Sequence, residues 1–237
     1  MRFMPWHYAL LLWLTLGCAS SEAGGTAPRL WAVVVGVSQY PTLNPNLQLE
    51  GPRNDVPLVL NWLQRTRGVP RSRVTVLADQ VARADGLPTR SAILEALNVL
   101  PRRTAAGDSV FLYFAGHGSR QPQPGQSWTK ADGLDEIFLP RDVGRWTEGQ
   151  HQVSGAIIGS EIGRVIDSLR AQGVFVWVVF DSCHSATGSR AIVRAHFKSR
   201  GVAPEELGAP YRATPTAVDD APPLHMVRVP ERHFAGG

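Results

Sequence analysis

The chain has 237 residues, which suits one medium-sized domain with short appendages, and 43% of them are hydrophobic, enough to bury a core. The formal net charge is +4, carried by arginines that are scattered rather than grouped into a basic stripe. Composition therefore argues against a nucleic-acid-binding protein, and we expect no nucleic-acid partner.

The first 23 residues are predicted to be an export signal rather than part of the fold. Arg2 gives a weakly positive start, an apolar run follows over residues 9–16, and small residues come next. This run is shorter than the roughly 20 apolar residues that span a membrane. Cleavage after Ala23 would release a soluble form, whereas cleavage before Cys18, in a segment resembling a bacterial lipoprotein box, would leave a lipid anchor. We expect an exported protein that is periplasmic or lipid-anchored at the cell envelope, or else secreted, and that meets the membrane only through this anchor.

The cysteine count predicts a single free thiol in the mature domain. The chain contains only Cys18 and Cys183, and either cleavage route removes or lipidates Cys18. No internal disulfide can then form. An unpaired cysteine in an exported protein is exposed to oxidation, so Cys183 is either a small buried hydrophobe or a functional thiol.

Short apolar runs rich in β-branched and aromatic residues predict strands that are buried on both faces of a parallel sheet. In chain order these runs are Leu30–Val37, Val74–Leu77, Val110–Ala115 and Val174–Phe180. Helical patterns lie between them: one capped by Asn54-Asp55 and running to about Gln64, one after Thr89, and one opened by Ser160 and Glu161. Strands that alternate with amphipathic helices predict a three-layer α/β domain with right-handed crossovers.

Two stretches interrupt this alternation. Residues 118–143 hold glycines, prolines and acidic residues, and are long enough to predict a functional loop. Residues 199–237 form a tail rich in Pro, Ala and Gly, with one weak strand candidate at 225–229. We therefore predict a signal at 1–23, an α/β domain at 28–198 and a tail, or a truncated remainder of the domain, at 199–237.

Reactive residues follow two of the predicted strands. Gly116-His117-Gly118 comes after the third strand, and Asp181-Ser182-Cys183-His184 ends the fourth. If these strands are neighbours, His117 and Cys183 emerge at the same sheet edge. An imidazole could then take the thiol proton and later deliver it to a leaving amine. We expect His184 to be structural or a supporting hydrogen-bonding group, because adjacent residues on an extended chain point in opposite directions.

These residues resemble the metacaspases and bacterial orthocaspases. The matching blocks occur in the same order as in that family: 34–40, 51–55, 113–119, 132–142 and 181–187. The resemblance implies a caspase-like three-layer sandwich with a mostly parallel sheet. That family normally adds two strands after the cysteine, and here the last strands are predicted to be lacking or degenerate.

The resemblance also implies roles for individual residues. His117 would be the base and Cys183 the nucleophile, with the amides of Gly118 and Cys183 forming the oxyanion hole. Asp55 and Asp181 match the acidic residues of the first specificity pocket, which implies cleavage after Arg or Lys. Capping of a helix is the alternative role for Asp55. Self-cleavage would fall among the basic residues beyond the cysteine: Arg190, Arg194, Lys198 and Arg200.

We therefore expect a monomeric cysteine endopeptidase that acts on proteins or peptides with basic residues and needs no cofactor. Calcium, which many metacaspases bind, would have only the weak ligand set Asp132, Asp135 and Glu136, whereas this ion takes six or more oxygens. The alternative is a catalytically inactive caspase-like domain that serves as a binding or regulatory module.

Overall fold

The computed structural model describes residues 27–123, 133–182 and 200–210. Its strands are β1 Leu30–Gly36, β2 Val74–Ala78, β3 Ser109–Ala115, β4 Gly118–Pro122, β5 Leu134–Phe138, β6 Trp146–Thr147, β7 Gln152–Val153, β8 Ile157–Ile158 and β9 Phe175–Asp181. Its helices are α1 Gly51–Asn61, which continues into a π turn over Trp62–Thr66, α2 Arg90–Arg103 and α3 Gly159–Ala171. Short 3-10 turns cover Pro45–Leu47, Arg71–Arg73, Glu148–Gln150 and Pro204–Leu207.

The main sheet consists of parallel strands in the spatial order β2-β1-β3-β9. All four correspond to the predicted apolar runs. Residues of β1 alternate between two cores: Val33 and Val35 pack on one face of the sheet, and Val34 on the other. Helices α2 and α3 cover the first face and α1 covers the second. The predicted three-layer α/β architecture is therefore confirmed.

Helix α1 begins earlier than predicted. It starts at Gly51, with Glu50 as the N-cap residue and Pro52 in the first turn, where proline needs no amide hydrogen. The prediction that Asn54-Asp55 caps this helix is wrong, because Asp55 already lies inside it. Helix α2 follows Thr89 as predicted, and Thr89 caps it: its Oγ1 accepts a hydrogen bond from the amide of Ala92 at 3.3 Å.

The stretch 118–143 was predicted to be a loop, and this prediction is wrong for much of it. Strands β4 and β5 pair in an antiparallel ladder that opposes Gly118 to Phe138, and β5 also pairs with β8. The sequence Leu134–Phe138 carries its polar residues on the more exposed positions and buries Leu134, Ile137 and Phe138. This partial alternation is sufficient for a strand when neighbouring strands are available for pairing.

Residues 200–210, which the sequence assigned to the tail, pack against β4. The amide of Val202 donates to the carbonyl of Gly118 at 3.0 Å, and Ser119 Oγ donates to the carbonyl of Val202 at 2.7 Å. The side chains of Val202 and Leu207 are buried in the same core as α2 and α3. This short segment is therefore attached to the domain. The strand candidate at 225–229 lies outside the described residues.

Within the described part of the chain, β9 forms one edge of the main sheet. Its large apolar side chains Phe175, Trp177 and Phe180 are 68%, 50% and 44% exposed. In the same part of the chain, no helix has the length and apolar character needed to cross a bilayer. The predicted signal, with Cys18 and Ala23, lies outside the described residues.

Candidate active site

His117 is placed just beyond the end of β3. Strand β3 ends at Ala115, and Gly116 makes the turn in a space that a Cβ atom would fill, since Tyr40 and Phe138 would lie within about 3 Å of it. The His117 side chain is fully buried. Its backbone amide donates to the Tyr40 hydroxyl at 2.7 Å, and the two rings lie 4.9 Å apart. Backbone and side chain of His117 are thus both positioned by Tyr40.

Both ring nitrogens of His117 face carbonyl oxygens. Nε2 lies 2.7 Å from the carbonyl of Leu47, and Nδ1 lies 2.8 Å from the carbonyl of Arg200. A carbonyl oxygen only accepts, so each contact requires a hydrogen on the ring. A neutral imidazole carries one such hydrogen, so both bonds together require the imidazolium form. The Leu47 carbonyl can hold the ring in place in either form.

The loop that carries Tyr40 is fixed by a buried carboxylate. Asp79, which follows β2, accepts hydrogen bonds from the amides of Ser38 and Gln39 at 2.8 and 2.9 Å. Burial raises the pKa of Asp79, although these two amides partly oppose the rise. Burial also raises the pKa of Tyr40 far above its ordinary value, so its hydroxyl stays protonated. The polar contacts around His117 therefore extend to the end of β2.

Strand register relates His117 to the strand that precedes Cys183 in the sequence. Strands β3 and β9 are parallel neighbours, with Ala115 directly opposite Asp181. His117 lies two residues beyond Ala115, and Cys183 lies two residues beyond Asp181. The predicted adjacency of the two strands is confirmed. Cys183 itself, its amide and His184 lie outside the described residues.

Asp55 and Asp181 lie on either side of one guanidinium group, that of Arg200. Arg200 Nη2 donates to Asp55 Oδ2 at 2.8 Å, and Arg200 Nη1 pairs with the Asp181 carboxylate and donates to the Asp181 carbonyl at 2.7 Å. Tyr113 donates its hydroxyl hydrogen to Asp181 at 3.1 Å. Burial and the nearby charge of Asp181 both raise the pKa of Tyr113, so it remains a donor. The two predicted pocket residues are thus brought together around a cation.

The amide of Gly118, a predicted oxyanion donor, donates to the carbonyl oxygen of Arg200 at 3.1 Å. The same oxygen contacts His117 Nδ1. A carbonyl group is therefore held between the imidazole and the Gly118 amide.

Two of the residues considered for calcium, Asp135 and Glu136, do not converge. Asp135 and Glu136 are consecutive in β5, so their side chains leave opposite faces of the strand. Asp135 accepts a hydrogen bond from Gln123 at 3.0 Å. Within ranges 27–123, 133–182 and 200–210, no three His, Cys, Asp or Glu side chains form a group that could hold a metal. Asp132 lies outside these ranges. Asp135 and Glu136 thus do not fit a shared calcium ion.

The protein-family model described as metacaspase, peptidase C14 domain matches residues 31–190 of this chain. The chain belongs to the metacaspase family. Metacaspase-1B of Aspergillus fumigatus is 32% identical over 159 residues, which cover 67% of this chain and 36% of that protein. Metacaspase-1A of Aspergillus oryzae is 30% identical over 156 residues, covering 66% of this chain and 34% of that protein. The chain therefore spans about a third of the length that these metacaspases have.

Among solved structures, the chain is similar to protein GSU0716 from Geobacter sulfurreducens, with 24% sequence identity and a TM-score of 0.47. That match covers 68% of this metacaspase chain and 52% of the other.

Sequence reasoning missed the groups that hold the imidazole. Tyr40 stood in one of the family-like blocks without an assigned role, and Leu47 contributes only a backbone carbonyl, which has no sequence signature. Arg200 appeared only as one of four basic residues beyond the cysteine. The one available signal for Arg200 was that several basic residues follow Asp181, a predicted pocket residue, in the sequence.

Proposed function

We propose that this metacaspase is a cysteine endopeptidase that cleaves after Arg or Lys, with Cys183 as nucleophile and His117 as base. The observation that carries the proposal is the β3–β9 register, in which His117 and Cys183 lie equally far beyond the opposed residues Ala115 and Asp181. Neighbouring strands are about 4.8 Å apart, and this spacing supports the proposal that the imidazole and the thiol act as a pair.

The proposed reaction uses the groups around His117. The imidazole takes the proton of the Cys183 thiol, and the thiolate attacks the carbonyl carbon of the substrate. The Gly118 amide, which already donates to a carbonyl oxygen, stabilises the developing oxyanion. His117 then gives its proton to the leaving amine, and water hydrolyses the thioester. Hydrogen bonding of Nε2 to the Leu47 carbonyl keeps Nδ1 directed at the reacting groups.

Specificity for basic residues is supported by the acidic pair. Asp55 and Asp181 hold one guanidinium between them in this fold, with a donor–acceptor distance of 2.8 Å to Asp55. Two carboxylates in a partly closed pocket favour a cation, and the planar guanidinium can pair with both. Protein or peptide substrates with Arg or Lys are therefore proposed.

The catalytic proposal is tested with an Arg-ending reporter peptide. We expect Cys183→Ala and His117→Ala each to abolish hydrolysis. His184→Ala is the matched control, a second histidine beside the cysteine, and should retain activity. A thiol-alkylating probe should label Cys183 in the folded protein. An unlabelled Cys183 together with no hydrolysis would support the inactive binding module instead.

Specificity is tested by comparing two reporters within one enzyme. The ratio of kcat/KM for an Arg reporter to that for a Gln reporter should fall about 10- to 100-fold in Asp55→Asn, the range for one charge-assisted hydrogen bond. Glu50→Gln, which alters a carboxylate at the start of the same helix, should leave the ratio unchanged. An unchanged ratio in Asp55→Asn would remove Asp55 from the specificity pocket.

A further inference from the structure

The guanidinium of Arg200 is largely buried and is held by two carboxylates. Its side chain is only 17% exposed, and its two terminal nitrogens pair with different carboxylates. Burial acts to lower the pKa of Arg200, but the hydrogen bond to Asp55 and the charge of Asp181 raise it above its ordinary value. One of the two negative charges of the acidic pair is therefore already balanced by the chain itself.

The pocket is shaped to admit this group. A Cβ atom on Gly51 would lie 2.3 Å from Arg200 Nη2, closer than such atoms pack, and 3.2 Å from Cζ. The absence of a side chain at Gly51 thus leaves the space that the guanidinium fills beside Asp55.

The backbone of Arg200 lies where the acyl group of a substrate would be. Its carbonyl oxygen is 2.8 Å from His117 Nδ1 and 3.1 Å from the Gly118 nitrogen. One residue therefore takes up the acidic pair, the imidazole and the oxyanion donor together. A substrate arginine would need the same three positions.

The segment after Arg200 is anchored to the domain. Gly201 forms a parallel bridge with Gly118, and the backbone of Val202 bonds to Gly118 and Ser119. Val202 and Leu207 are buried. Because this anchor tethers Arg200 at the pocket, the arginine acts there as an intramolecular ligand with a high effective concentration.

Resting on the proposed function, we propose that Arg200 is an internal plug of the specificity pocket, and that the chain in this conformation inhibits its own peptidase site. External substrate competes with the plug. Occupation of the pocket by Arg200 therefore raises the apparent KM, because it reduces the fraction of free enzyme with an open site. It leaves kcat unchanged, because saturating substrate displaces the plug.

The first test is kinetic and uses the full chain with an Arg-ending reporter. In Arg200→Ala, KM should fall roughly tenfold or more at constant kcat, as expected for loss of charge-assisted hydrogen bonds. Arg71→Ala is the control, since it removes another arginine ion pair, to Asp85, outside the pocket. It should leave KM unchanged. Arg200→Met, which keeps the aliphatic stem, replaces Arg200→Ala if the alanine variant unfolds.

The second test measures binding and does not depend on catalysis. Calorimetry compares N-acetyl-arginine methylamide binding to Cys183→Ala and to Cys183→Ala/Arg200→Ala, and the double variant should bind roughly tenfold tighter or more. If the double variant binds more tightly but the chain with Cys183 intact hydrolyses no reporter, the plug is kept and the peptidase proposal is removed. Equal affinities, or an unchanged KM in an active enzyme, would overturn the plug. Cleavage after Arg200 that raises activity, with Arg200→Ala less active, would also overturn it and make the segment an activation site.

Discussion

Asp108 offers a quantitative test of how the strands that carry the site are held together. Its carboxylate precedes β3 and accepts hydrogen bonds from the Arg29 amide and Nη2, both at 2.9 Å, from the Ala105 amide at 3.0 Å and from Trp31 Nε1 at 3.3 Å. These donors join the starts of β1 and β3, at the opposite end of the sheet from His117. The side chain is 4% exposed.

Burial alone would raise the pKa of Asp108, but the hydrogen bonds from Arg29, Ala105 and Trp31 lower it from 3.8 to about 2. Each pKa unit corresponds to about 1.36 kcal/mol, so ionisation of Asp108 favours the folded state by about 2.5 kcal/mol. Because the folded-state pKa is the lower one, this stabilisation is present above pH 3.8 and is lost as the pH falls towards 2.

Asp108→Asn mimics the protonated acid and should lower the free energy of unfolding by about 2.5 kcal/mol at pH 7, measured by urea denaturation. The difference between wild type and variant should shrink as the pH falls below 4. Asp167→Asn, at an exposed position of α3, is the control and should change stability by less than about 0.5 kcal/mol. A loss in Asp108→Asn that does not depend on pH between 2 and 5 would refute the reasoning. The KM of the folded variant should be unchanged, because the strand ends at the site are untouched.

Three further outcomes follow from contacts described above. Tyr40→Phe removes the acceptor 2.7 Å from the buried His117 amide and should lower kcat about 3- to 30-fold. The melting temperature should also fall by a few degrees, because the amide is left without an acceptor. Equal kcat would show that the hydroxyl does not position the imidazole. Burial acts to raise the pKa of Glu161, but hydrogen bonds from Arg90 and a backbone amide lower it. Glu161→Gln should therefore lower the free energy of unfolding by about 1–2 kcal/mol in urea denaturation. This difference should fade as the pH falls below 4.5. A chelator such as EDTA should leave hydrolysis of the Arg reporter unchanged, and restoration of lost activity by added calcium would contradict the proposal that no metal is required.

The parallel sheet could be predicted because each of its strands is a continuous apolar run. Residues such as Val33 and Val34 are buried on opposite faces of the sheet, so successive positions of the strand are apolar. This pattern is visible in the local sequence. The same runs predicted that the strands preceding His117 and Cys183 are neighbours, and the pairing of β3 with β9 confirms this part. The predicted approach of the two side chains stays a prediction, because Cys183 lies outside the described residues.

The rest depended on contacts between distant residues. The β4–β5 hairpin was missed because Gly118–Pro122 contains glycine, serine and proline, and its buried polar residues Ser119 and Gln121 have no apolar periodicity. Asp55 was considered as a helix cap because short acidic residues often cap helices, yet Pro52 allows the helix to start earlier. Arg200 lies in a stretch without regular pattern, and its place between two carboxylates is set by tertiary packing alone.

The bond between His117 Nε2 and the Leu47 carbonyl joins groups 70 residues apart in the chain. The ring can take this orientation only after the loop holding Leu47 has docked against the tip of β3. A newly made or partly unfolded chain would carry the imidazole without its support. Under the proposed peptidase function, cooperative folding would then protect neighbouring proteins from cleavage, since catalytic geometry and the finished structure would arise in the same step.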